Sequence, residues 1–154
     1  MRIERVEAPA EPDGGEGLIA IVVHREGGYF KPGVEFVTET RHPMQVATMK
    51  RREGEVVAPH VHKTNSRKLY SVSETLVVVR GSMDVSLYTY NGGKFLRTVT
   101  VGEGSAIVLL GGGHSIRFRE ETEMYEIKQG PYFGREYDKV EFVPDVSVDL
   151  GASI

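Results

Sequence analysis

Four side chains of this sequence have the types and spacing to hold a metal ion: His60, His62, Glu74 and His114. His60 and His62 stand two apart in Glu55-Val-Val-Ala-Pro-His-Val-His. On an extended strand, residues i and i+2 point to one face, so both imidazoles can reach one point in space. Glu74 opens the next apolar run, and His114 follows Gly111, Gly112 and Gly113 at the end of another. Three imidazoles and one carboxylate make a borderline-hard donor set suited to one divalent ion, Fe²⁺, Mn²⁺, Ni²⁺, Zn²⁺ or Cu²⁺. The same residues also fit an exposed edge strand followed by a solvated carboxylate, and an isolated His-x-His pair favours that plainer reading. With no cysteine in the chain, disulfides, thiolate nucleophiles and Cys-ligated zinc or iron–sulfur sites are excluded.

A second set of residues could do proton chemistry beside such a centre. In the run 124–129, Glu126 and Lys128 share one face of a strand, and Tyr125, Ile127 and Gln129 the other. Turned inward, the first face would carry an acid and a base, with the Tyr132 hydroxyl placed nearby by Gly130-Pro131; turned outward, it is a solvated strand face. Lys63, Arg67, Lys68 and Tyr70 follow His62 in a long loop. Arg67 and Lys68 are candidates for holding a phosphate or carboxylate, against a solvated basic loop. Gln45 could line the interior, or spend its amide on backbone groups.

The elements that must position these residues are short strands. Glycine is 18 of 154 residues, about 12% against a usual ~7%. Valine numbers 21 and alanine 7, a bias towards strand over helix. Turn dipeptides and glycines divide the chain into strand-like runs at 18–23, 34–38, 45–50, 55–62, 74–80, 82–90, 94–101, 105–110, 115–119 and 124–129. Asn91-Gly92-Gly93 is a hairpin signal, because primed turns need positive φ. In 82–90, Met83, Val85 and Leu87 fall on one face and Asp84, Ser86 and Tyr88 on the other. No window shows sustained helical periodicity, so the expectation is one all-β, antiparallel sandwich or barrel of about ten short strands. Residues 1–17 and 144–154 read as arms around a core at 34–143. Val140–Val143 could add a further strand, and His24 and His42 read as ordinary surface or loop residues.

The charge balance, 19 basic against 22 acidic residues, supplies no bulk electrostatic reason to bind nucleic acid or an anionic membrane. The longest apolar runs fall far short of the ~20 residues that span a bilayer, and residues 1–17 lack the pattern of a targeting signal. A soluble cytoplasmic protein is the expectation.

The spacing of glycines around the histidines resembles the cupin superfamily. Its first motif runs glycine, five residues, His-x-His, a spacer, glutamate, six residues, glycine; here the matching residues are Gly54, His60, His62, Glu74 and Gly81. The loop between His62 and Glu74 is longer than usual. In the second motif, Gly104-Ser105 stands where Gly-Asp is usual. Gly111-Gly112-Gly113-His114 replaces Pro-x-Gly and its histidine, one residue short. Glu35-Phe36-Val37-Thr38, Gln45 and Glu126-Ile-Lys-Gln-Gly-Pro-Tyr132 are similar to a group of small single-domain cupins associated with sugar and polysaccharide metabolism. The resemblance implies a jelly-roll barrel with a metal on His60, His62, Glu74 and His114, and a homodimer, since cupins commonly pair. It points to an isomerase, epimerase or lyase acting on a small oxygenated, sugar-derived metabolite, with Glu126, Lys128 or Tyr132 moving protons. An Fe-dependent dioxygenase and a non-catalytic binding module are the alternatives. A metal-free sugar-nucleotide epimerase fits less well, because all four ligand types survive.

Overall fold

A computed structural model describes residues 1–9, 17–26, 28–69, 71–90 and 93–145. Tyr70, the Asn91-Gly92 step and the arms at 10–16 and 146–154 lie outside the described residues. The strands are β1 (Arg2–Glu7), β2 (Leu18–His24), β3 (Gly33–Phe36), β4 (Ala47–Lys50), β5 (Glu74–Arg80), β6 (Ser82–Tyr88), β7 (Phe95–Gly102), β8 (Ala106–Leu109), β9 (Gly113–Phe118) and β10 (Glu123–Lys128). One four-residue helix, α1, spans Arg135–Asp138. Every ladder between strands is antiparallel, as expected.

Five strands form one sheet in the order β1-β2-β8-β5-β10, three form a second in the order β7-β6-β9, and β3 pairs with β4. Alternation along each strand sends one row of side chains between the two larger sheets. Val6, Val22, Leu76, Val78, Ile107 and Leu109 from the five-stranded sheet meet Met83, Val85, Leu87, Val99 and Val101 from the three-stranded one. The opposite face of the larger sheet carries Ile21, Val23 and Val108, covered by Val37 and Val46 from the β3–β4 region. β2 is buried along all seven residues, as expected of a strand covered on both faces.

Several expectations are corrected. Residues 55–62 are not a strand: all of 51–69 is exposed and lies outside every sheet. Pro59 has no N–H to give to a ladder, and a strand-like composition does not by itself supply a partner. Conversely, the N-terminal arm begins as a strand, β1 pairing with β2. Val6 enters the core, and Glu4 accepts from His24 at 2.8 Å and pairs with Arg97 at 2.7 Å. His24 and His42 are accordingly buried rather than at the surface; His42 Nδ1 accepts from the Glu39 backbone N–H at 3.0 Å. Val140–Val143 forms no strand; beyond it Lys94 bridges Asp145. Among the described residues the sheets are open, with β1, β10, β7 and β9 at their edges, and no barrel closes.

Candidate active site

Register decides which polar side chains meet. Glu74, the first residue of β5, lies opposite Leu109 on β8 and Lys128 on β10; directly opposed residues share a face. Leu109 belongs to the core between the sheets, so Glu74 and Lys128 come off the inner face of the five-stranded sheet at one end. His114 lies opposite Leu87, another core residue, and comes off the inner face of the facing sheet at the same end. The carboxylate and the imidazole meet there, His114 Nε2 to Glu74 Oε2 at 3.9 Å.

The triple glycine makes this approach possible. Gly112 has φ +68°, and a Cβ there would collide with the Tyr88 carbonyl oxygen, while one at Gly113 would strike the Phe142 ring. The chain can therefore turn tightly from β8 in one sheet to β9 in the other at Gly112, two residues before His114. The histidine and glutamate line a pocket of about 590 Å³ with Lys128, Tyr88 and Ser115, and residues 138–142 form its far wall.

Burial holds the His114 imidazole below the ordinary histidine value; the Glu74 carboxylate pulls against that, Lys139 adds to it and Glu126 opposes it. The ring is therefore biased towards its neutral, proton-accepting form. Lys128 is shifted the other way. Its hydrogen bond to Asp138 (Nζ to Oδ2, 3.1 Å) raises its pKa, with Glu126 and Glu74 contributing through space. The site thus sets a neutral base beside a carboxylate and a fixed cation.

The remaining candidates separate. Glu126 and Lys128 lie on the inner face, as their registers opposite Leu76 and Glu74 require, and Tyr125 and Ile127 face out, well exposed. Tyr132 is exposed, its ring 4.8 Å from Lys128 Nζ. Gln45 is not part of the pocket: its amide donates to the carbonyls of Glu39 and His42 at 2.9 and 2.8 Å. Arg67 and Lys68 lie in the exposed segment and do not line the pocket. His60 and His62 are in the same segment, rings 5.3 Å apart, with His60 Nδ1 donating to the Ala58 carbonyl. The His-x-His pair does share a side, but away from Glu74 and His114.

The donor types suit a divalent ion, and a neutral imidazole beside a carboxylate is the ligating state. The arrangement does not complete the set: among the described residues no three His, Asp or Glu gather to hold a metal. Asp138 and Lys139 are missed by the sequence reading, and Phe142 enters it only within the candidate strand Val140–Val143, not as part of a site. Their only signal is an aromatic residue between Glu141 and Pro144 in a charged tail, which periodicity does not detect.

Comparison of the chain with protein-family models, with curated proteins and with solved structures finds no match. Among the described residues no helix is long and apolar enough to cross a membrane.

Proposed function

We propose that the protein is an enzyme of the isomerase, epimerase or lyase type that moves a proton on a small oxygenated, sugar-derived metabolite. The observation that carries this reading is the 3.9 Å approach of His114 to Glu74 on the wall of a pocket, with the imidazole held towards neutrality by burial. His114 accepts the proton from carbon, Glu74 steadies the imidazolium that results, and the Lys128 ammonium faces the oxygen on which charge develops. Incubation in D₂O with a panel of aldoses, ketoses, sugar acids and sugar phosphates tests this without knowledge of the product. Deuterium is expected at a carbon beside a carbonyl or carboxylate in at least one compound. The rate should fall about 10²–10⁴-fold in His114→Asn. Binding without exchange anywhere in the panel would instead identify a non-catalytic binding module.

A second reading adds a divalent metal and a closed jelly roll, the arrangement that the cupin resemblance implies. Its support is twofold: two of the four implied ligands, Glu74 and His114, already face each other, and β9, which carries His114, has an open edge. Residues 55–62, strand-like in sequence and unpaired, would fit that edge and bring His60 and His62 towards His114. Equilibrium dialysis against Mn²⁺, Fe²⁺, Ni²⁺, Zn²⁺ and Cu²⁺ tests it: one ion per chain in wild type, lost in His60→Ala and in Glu74→Gln. No uptake of any ion removes this reading and leaves the first intact.

A further inference from the structure

The far wall of the pocket is the C-terminal segment, and little holds it there. Helix α1 has four residues, none buried, and no side-chain cap, well below the length at which a helix holds itself in water. Beyond it Val140 and Val143 are 89% and 92% exposed, so the segment is not packed as a core element. Among the described residues its attachments to the sheets and their loops include the Lys128–Asp138 ion pair, the Phe142 ring against Tyr88 at 5.3 Å, and the Asp145 N–H donating to the Gly93 carbonyl at 2.7 Å. The ion pair differs from the other two because it joins two charged side chains, 17% and 13% exposed.

Its two partners also differ in how firmly they are mounted. Lys128 ends a strand paired with β5 in the larger sheet, whereas Asp138 ends a single helical turn. A competing carboxylate would therefore displace Asp138 and leave Lys128 in place. The exchange is also neutral in charge: Lys128 sits in the field of Asp138, Glu126 and Glu74, and one carboxylate replacing another leaves that balance unchanged. The pocket volume falls within the range of about 300–1,000 Å³ usual for small-molecule sites.

We propose that residues 134–145 form a latch over this pocket, and that Asp138 holds on Lys128 the place taken by the carboxylate of a small organic acid. Binding of the acid releases the latch, so the segment reports and gates occupancy. The inference rests on reading the pocket as a small-molecule site, but not on His114 acting as a base.

Because the chain has no cysteine, Val143→Cys creates a single attachment point for a nitroxide label on the segment, at a residue that is exposed and does not line the pocket. Glucuronate is the probe, and glucose is its neutral control. In the labelled protein, glucuronate is expected to sharpen the spectrum and glucose to leave it unchanged. Asp138→Asn should sharpen the spectrum without ligand and raise glucuronate affinity about fivefold, since the open fraction no longer limits binding. Lys128→Met should give a mobile label and no glucuronate binding; matching thermal melts confirm that both variants are folded. An Asp138→Asn spectrum identical to that of the parent overturns the latch. Equal responses to glucose and glucuronate, or no glucuronate binding in either form, overturn the carboxylate role. In His114→Asn the label response should persist, so a failure of proton exchange alone counts against the catalytic reading and not against the latch.

Discussion

His114 combines two opposing influences on one imidazole. Burial disfavours its cation and Glu74 favours it, and the balance leaves the pKa below the usual 6.5. A folded-state value below the unfolded one means that the unfolded chain binds more protons in this window. The stabilisation His114 contributes is thus complete above about 6.5 and lost as pH falls through the depressed value. An NMR titration of the His114 ring should give a midpoint below 6.5, and Glu74→Gln should lower it further by removing the attraction. A midpoint above 6.5 would mean that the ring is cationic and not poised as a base. The identity of these two residues is legible from the glycine and histidine spacing; their meeting is not, since it depends on the registers of β5 and β9 in different sheets.

At the scale of elements, the turn from β8 to β9 decides where His114 arrives. Gly112 has φ +68° and no room for a Cβ beneath the Tyr88 carbonyl, so both conformation and space demand glycine. Gly112→Ala is expected to cost about 1–3 kcal/mol, read as a lower urea midpoint at unchanged slope. Nearly every strand from β2 onward lies within a few residues of its expected position, because alternation and turn glycines are local signals. The misses are instructive. Residues 55–62, expected as a strand, join no sheet among the described residues, while 2–7, expected as an arm, pair with β2 through Val6 and the Glu4–His24 contact. The elements that fail are those whose state depends on a partner far away in sequence.

Over the whole molecule, two sheets face each other across a core, and a carboxylate on an outer face makes stability fall in acid. Asp84 lies on the outer face of the three-stranded sheet, where it accepts from Arg117, Thr100 and Arg119. The Arg117 hydrogen bond above all lowers its pKa to about 2. Its stabilisation is therefore fully present above the ordinary 3.8 and lost as pH falls through about 2. Stability measured by urea unfolding should decline across that interval, and Asp84→Asn should show a shallower decline. Among the described residues the same architecture leaves the edges of β9 and β10 open beside the pocket. These are the edges on which both the closure by 55–62 and the expected pairing of two copies would draw.

What the sequence by itself determined is the all-β class, the faces of the strands and the chemistry available: imidazoles, carboxylates and a lysine, with no thiol. Those follow from side-chain types and a two-residue period, which act over a few positions. Only the tertiary structure decided that Glu74, His114 and Lys128 share one end of the sandwich. It also decided that His60 and His62 stand apart from them, and that a C-terminal segment walls the pocket. Each of those outcomes is a choice of pairing partner and register between distant segments. An open strand edge offers the same row of N–H and C=O groups to any of them, so alternation alone carries no address.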